Sequence, residues 1–359
     1  MSAKLTKPPG TDTRNEQKDA LQEYYKNKTI LVTGGVGSIG SEIVKQLLQF
    51  NPQQVRVLDN RETEMFTFQQ LMKAHKNVRF LLGDVRDKER LMRASSGINI
   101  IFHAAAYKHV EACEYNPDEA VKTNIIGTEN LIDAAIAEQV DKVIFISTDK
   151  AVNPVNTMGA TKLLGEKLIM NACYRRKTET VFSCVRFGNV LNSQGSVMPI
   201  FINQIKHGGP VSLTHAEMRR FFISIPQAVN LVLKSAVITT GREIFILKMD
   251  AFRIQDLAEV MIRECSPKFG INPDTVKIEI TGIRPGERMD ELLMTEEESN
   301  LAEEVDGMFV IRPDVFFPHY AQHTKSGHHR IDPKNYNSYQ APLLTKEEIK
   351  KRLQDNRLI

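Results

Sequence analysis

Residues 147–150 read S-T-D-K, directly after the apolar run K-V-I-F-I, and M-G-A-T-K follows at 158–162. One short stretch thus carries a carboxyl group (Asp149), two amines (Lys150 and Lys162) and a hydroxyl (Thr148). These are the residue types of general acid and base catalysis, provided that burial or neighbouring charge brings their pKa values towards the working pH. Pro154 breaks the loop, and a helix is expected from near Met158. Met158 and Lys162 stand four apart and so share one face of it. A thioether takes no proton usefully at neutral pH, which leaves Met158 a packing role.

A second group suits an anion. T-G-G-V-G-S-I-G at 33–40 follows one apolar run and opens a helical pattern. Gly34 then stands at the turn, Gly37 at the closest approach to a pyrophosphate and Gly40 at the helix–sheet contact, with Ser38 and Ile39 in the first helical turn. The N–H groups and positive dipole end of that turn favour a diphosphate. The next run ends in Asp59, whose carboxylate suits both ribose hydroxyls and favours NAD. Asn60 follows it, and Arg61 suits a 2′-phosphate, so NADP stays open. Asp84 and Val85 in G-D-V are placed to flank an adenine. Ala104, Ala105 and Ala106 are small enough for backbone to lie against the cofactor.

Groups of these kinds need a scaffold that presents strand ends. Six β-branched runs supply it: T-I-L-V-T, Q-V-R-V-L-D, V-R-F-L-L-G-D, I-N-I-I-F-H-A-A, K-V-I-F-I-S-T and V-F-S-C-V-R-F-G. Each is apolar on both faces, as strands covered on both sides are. Helical patterns between them, such as I-G-S-E-I-V-K-Q-L-L, imply right-handed crossovers. The expected class is α/β, a Rossmann doubly wound parallel sheet with a smaller C-terminal substrate-binding lobe. Residues 1–26 read as a polar lead, either disordered or an interaction arm. Residues 27–188 read as the NAD(P)-binding domain and 189–359 as the lobe, with 243–249 a candidate for return to the main sheet. Ligands in such sheets bind at the strand C-termini, where Thr148 to Lys150 stand.

Bulk properties exclude several classes. The chain has 359 residues, 42% hydrophobic and 25% charged, with a net charge of +3, and its basic residues form no stripe for nucleic acid. Its 4 cysteines are far apart without a C-x-x-C pair, so neither a disulfide framework nor a metal site is expected. No run is long and apolar enough to span a membrane, and no signal peptide is expected, so the protein reads as cytoplasmic.

The glycine pattern, S-T-D-K, the x-x-x-K helix and R-P-G-E at 284–287 together resemble the extended short-chain dehydrogenase/reductases. Within them the chain is most similar to the nucleotide-sugar 4,6-dehydratases that act on UDP-N-acetylglucosamine. A-A-Y-K-H-V, E-Y-N-P, K-T-N-I-I-G-T, S-T-D-K-A-V-N-P, R-F-G-N-V and R-P-G-E-R match that group in order, over roughly residues 28 to 350. Most of the superfamily carries Y-x-x-x-K where this chain has Met158 and Lys162. The departure leaves the base for the C4 hydroxyl unassigned, although some dehydratases share the methionine.

The resemblance implies an internal redox reaction on a UDP-sugar: oxidation at C4, loss of water across C5–C6, and return of hydride to C6, with NAD or NADP regenerated in place. Asp149 is then expected as the acid at the C6 oxygen and Lys150 as the base at C5, which requires a protonated Asp149 and a neutral Lys150. Thr148 is expected at the C4 oxygen and Lys162 at the nicotinamide ribose, while Thr123 and Asn124 resemble the family's cofactor-side and fold-bracing pair. Substrate contacts are implied for Lys108, Asn189, Val197, Thr214, Arg220, Arg284 and Glu287. A homo-oligomer is usual in the superfamily. A related epimerase or reductase, or a cofactor-binding protein without turnover, is the alternative reading. The configuration at C5, the nucleotide and the final glycan are not legible.

Overall fold

The computed structural model describes residues 12–175, 178–191, 196–283, 286–312 and 336–359. Its strands are β1 (Thr29–Thr33), β2 (Gln54–Asp59), β3 (Val78–Leu82), β4 (Ile100–His103), β5 (Lys142–Ile146), β6 (Val181–Arg186), β7 (Val211–Leu213), β8 (Arg219–Phe222), β9 (Ile244–Leu247), β10 (Asp250–Arg253), β11 (Ile278–Ile280), β12 (Ala302–Val305) and β13 (Met308–Ile311). Nine of them form one sheet in the order β12-β13-β9-β6-β5-β4-β1-β2-β3. Neighbours from β3 to β9 pair in parallel, whereas β13 and β12 add on antiparallel. This is a Rossmann-type doubly wound sheet, built from the six apolar runs. Every residue of β1 and β4 is buried, because helices cover both faces. Strand order reverses between the parallel neighbours β1 and β4, and the crevice that opens above their C-terminal ends is where such sheets bind ligands.

The expected return of 243–249 takes place as β9, which pairs with β6 through Cys184↔Ile244 to Arg186↔Ile246. Residues 302–311 return as well, so the main sheet interleaves with the later half of the chain. The remaining strands make two small sheets, β8 with β10 and β7 with β11. Together with the helices Val197–Lys206 and Ile254–Cys265 they enclose a second apolar core around Met198, Phe201, Leu257 and Met261. This lobe stands over the crevice.

The polar lead is corrected in part. Asp12–Tyr25 is a helix, and Leu21 and Tyr25 are buried in the main core. Tyr25 donates its hydroxyl to Leu233 O at 2.7 Å and Tyr24 to Ala236 O at 3.0 Å. Leu21, Tyr24 and Tyr25 have the i, i+3, i+4 spacing of one helix face, a stripe that the polar composition around it conceals. Cys113, Cys184 and Cys265 are free and buried, as small apolar side chains are. Among the described residues no helix is long and apolar enough to cross a membrane, and no cluster of metal-ligating side chains occurs.

Candidate active site

The first turn after β1 is shaped by contacts that exclude side chains. Gly34 has φ +65°, and a Cβ there would fall 2.6 Å from Ala105 N. A Cβ on Gly40 would overlap the Gly34 carbonyl and come within 2.8 Å of Gly35 Cα. The helix Ser38–Leu48 therefore seats directly on the turn, its N-terminus towards the crevice. Asp59 closes the turn from β2, its carboxylate accepting from Val36 N at 3.2 Å and from Arg61 N at 3.1 Å. The Arg61 guanidinium also donates Nε–H to Asp59 at 3.2 Å, so these two residues face each other. Asp84 is held by Arg86 at 2.7 Å and Asn60 at 3.2 Å, and these donors keep its pKa below the usual range despite partial burial.

A cavity of about 720 Å³ runs from this turn to the lobe. Its wall carries Gly34, Gly37, Ser38, Ile39, Gly40, Asp59, Asn60, Arg61, Asp84, Val85, Ala104, Ala105, Ala106 and Thr123 at one end, and Thr148, Lys150, Met158 and Lys162 in the middle. Lys108, Asn189, Val197, Thr214, Arg220 and Glu287 line the rest. Of the residues singled out from the sequence, Asp149 is set back from this wall, and Arg284 lies outside the described residues. The hydroxyls of Thr123 and Ser147 are buried without a hydrogen-bond partner on a wall of the cavity. A glycine turn at a helix N-terminus, an acid closing it and two buried hydroxyls awaiting partners fit a dinucleotide cofactor. Asn124 braces the fold beside them, accepting from Tyr107 N at 2.8 Å and donating to Thr161 Oγ1 at 3.0 Å.

Lys162 is buried. Its ammonium donates to Ile146 O at 2.5 Å and sits 3.9 Å from the centre of the Phe145 ring. Burial among apolar neighbours pushes its pKa down to about 8. Met158, four residues earlier, is buried against Cys113 and Ala120 with one edge on the cavity.

The acid–base pair departs from expectation. Asp149 and Lys150 bind each other, Lys150 Nζ lying 3.1 Å from Asp149 Oδ2. Thr148 donates its hydroxyl to Asp149 Oδ1 at 2.7 Å. Burial alone would raise the Asp149 pKa, but the Lys150 charge and these donors outweigh it and hold the pKa down to about 2. Lys150 is raised, because Asp149 and Glu291 outweigh its burial. The expected protonated aspartate and neutral lysine are thus reversed in the resting site. Opposite charges at hydrogen-bond distance stabilise the ionised forms of both.

Glu291, which the sequence reading missed, reinforces the reversal. Glu291 is 5% exposed and places Oε1 3.2 Å from Arg220 Nε and 3.5 Å from Lys150 Nζ. Burial first, and the Asp149 charge second, push its pKa up to about 7. Arg220 differs from expectation in a related way. Its guanidinium donates to the carbonyls of Arg219, Arg288 and Met289 at 2.7–3.2 Å, so it braces the 287–291 segment. Glu287 in turn accepts from Thr214 at 3.3 Å, and Asn189 accepts from Lys150 at 3.1 Å. Ser147 and Ser196, also on the wall, were missed as well. A lone serine in a loop carries no spacing signal, and neither does Glu291.

Residues 30–313 match the family model described as polysaccharide biosynthesis protein. The chain belongs to this family. A protein of Methanocaldococcus jannaschii, named as an uncharacterized membrane protein, is 54% identical over 93% of this chain and 98% of its own length. The inverting UDP-N-acetylglucosamine 4,6-dehydratase of Campylobacter jejuni is 39% identical over 82% of this chain and 85% of its own. The UDP-glucose 4-epimerase of Rickettsia rickettsii is 36% identical over 92% and 96%. Two longer relatives, from Staphylococcus aureus and Bacillus subtilis, are matched over 47% of their length. Among solved structures, Pen from Bacillus thuringiensis superposes with a TM-score of 0.84 at 41% identity, over 92% of this chain and 99% of that one. A dTDP-glucose 4,6-dehydratase from Streptomyces venezuelae shares the fold at TM-score 0.64, with 21% identity over 74% of this chain and 87% of its own. Family membership and fold place the chain among the nucleotide-sugar dehydratases and epimerases of the extended short-chain dehydrogenase/reductases.

Proposed function

We propose that this protein is a UDP-N-acetylglucosamine 4,6-dehydratase that forms a UDP-4-keto-6-deoxy-N-acetylhexosamine. The observation that carries the reading is the Asp149–Lys150 pair at the end of β5, beside Thr148 and next to the cavity. Inversion at C4 alone requires no acid at C6 and no base at C5. A dehydratase relative shares 39% identity, which agrees with the reading. A bound nicotinamide dinucleotide would supply the means to take a hydride from C4 and return one to C6. NAD is favoured over NADP, since Asp59 closes the turn and neutralises Arg61, the group that would otherwise meet a 2′-phosphate. The Streptomyces structure that shares the fold holds NAD.

The chain's own residues divide the work as follows. Thr148 donates to Asp149 and accepts a long bond of 3.4 Å from Lys150 N, which leaves one lone pair of its oxygen to take the C4 hydroxyl proton while its own proton passes to Asp149. Asp149, ionised at rest and set back from the wall, is charged with a proton by this step and can then return it through the Thr148 hydroxyl to the C6 oxygen as water leaves. That route removes the need for a resting protonated aspartate, and it needs no tyrosine. Lys150 takes the C5 proton once its ammonium has lost one. Lys162 supplies positive charge beside the C4 oxygen and fixes a ribose. Lys108, whose pKa is lowered by lost hydration and by Arg61, and Asn189 face the sugar nucleotide.

Incubation with UDP-N-acetylglucosamine and no added cofactor tests the reading. A product lighter by one water supports it. The second reading, a 4-epimerase, is favoured by the Rickettsia relative and yields a product of unchanged mass.

A further inference from the structure

We infer that Glu291 is the proton acceptor that readies Lys150: it takes one proton from the Lys150 ammonium, so that the amine can act at C5. The inference rests on the dehydratase reading above.

Three observations carry it. The first is position. Glu291 Oε1 lies 3.5 Å from Lys150 Nζ, on a residue that is 5% exposed, so solvent is a poor competitor for that proton. Asp149 also touches Nζ, but its carboxylate is engaged by Thr148 and is needed for the proton of C4. Glu291 is held by Arg220 and hydrogen-bonded to Asp149, but no other proton transfer in the proposed reaction uses it. The second is the charge inventory. The groups facing Glu291 are Asp149 and Lys150 from the end of β5 and Arg220 from β8, with Glu287 held 3.6 Å from Arg220 on the same segment as Glu291. Asp149 and Glu291 are two buried carboxylates that crowd one ammonium, so they titrate as a coupled pair. The third is rigidity. Glu291 N donates to Ser338 Oγ at 2.9 Å and Ser338 N donates to Glu291 O at 2.9 Å, which fixes the backbone from which the carboxylate reaches.

The step balances without any outside reagent. One N–H bond of the ammonium breaks and one O–H bond forms on Oε1, which turns an ion pair into a neutral amine and a neutral acid. Loss of the Asp149 charge, when the C4 proton arrives there, removes one of the two anions that hold Lys150 protonated. The amine then takes the C5 proton. Burial sets Glu291 near neutrality, where a proton acceptor exchanges most readily at working pH. Glu291 is a positioning residue in this account, since it acts through Lys150 and touches no substrate.

Two measurements test it. Infrared titration of the protein without sugar should show a protonated carboxyl band that disappears as pH rises through about 7 and is absent from Glu291→Gln. Steady-state kinetics should show a kcat that rises with pH over the same range. In Glu291→Gln that limb should vanish, with kcat reduced ~100-fold or more and KM nearly unchanged, and Glu291→Asp should recover part of the loss. A band that is missing or persists in Glu291→Gln, or an unaltered limb in that variant, overturns the relay. If Glu291→Gln turns over too slowly to profile, the infrared result decides. A product of unchanged mass sinks the dehydratase reading by itself, and the relay with it as a C5 device, while the infrared titration still reports where the proton resides.

Discussion

Lys162 is kept charged at a cost to the fold, and replacing it by methionine should expose that cost. Its folded pKa of about 8 lies below the ordinary 10.5, because the ammonium is buried beside Phe145 with one carbonyl as its partner. Between those two values the unfolded chain binds more protons than the folded one, so wild-type stability rises with pH across that window. The fall from 10.5 to about 8 corresponds to roughly 3 kcal/mol against the charged form at pH 7. Lys162→Met also leaves the Ile146 carbonyl unpaired, which costs ~1–3 kcal/mol. The two nearly cancel at pH 7, so the variant should be about as stable as the wild type there. At pH 10 the wild type has gained most of its ~3 kcal/mol and the variant has not. Urea unfolding of both proteins at the two pH values checks this, with other titrations cancelling in the difference. A stability gap that stays constant from pH 7 to 10 refutes the buried-charge account. Turnover should fall ~100-fold or more in the same variant below pH 8, where the wild-type amine is charged, and the difference should narrow above it as the wild type loses that charge.

Other outcomes follow from single contacts. Arg186 is 2% exposed and bridges Glu166 at 2.7 Å and Glu298 at 2.9 Å, so Arg186→Met strands two buried carboxylates. A loss of ~3–5 kcal/mol is expected in urea melts, shrinking as pH falls and Glu298, whose pKa Arg186 holds down against burial, protonates. Asp59→Ala should weaken NAD binding ~10-fold in titration calorimetry and narrow the preference over NADP, since the acid facing the ribose is removed and Arg61 is released. Tyr25→Phe should cost ~1 kcal/mol, the worth of its buried bond to Leu233 O, with no change in kcat.

The parallel sheet was legible because its strands are buried on both faces and therefore read as unbroken β-branched runs. The glycine turn was legible because Gly34 and Gly40 sit where a Cβ has no room. β12 was not, since A-E-E-V carries two acids on a short edge strand. The helix Asp12–Tyr25 hid its apolar face among charges. At the site, residue types were readable and charge states were not. Asp149 and Lys150 set each other's charge first, and Glu291, which the fold brings in from the far lobe 141 positions from Lys150, reinforces both. No local pattern reports such a neighbour.

The central claim is that one hydride leaves C4 and returns at C6 within a single occupancy of the site. UDP-N-acetylglucosamine carrying deuterium at C4, given to the purified protein without added cofactor, tests it most directly. The account expects a dehydrated product with the deuterium in its C6 methyl group. Deuterium retained at C4, or a sugar with its C6 hydroxymethyl intact, would contradict it.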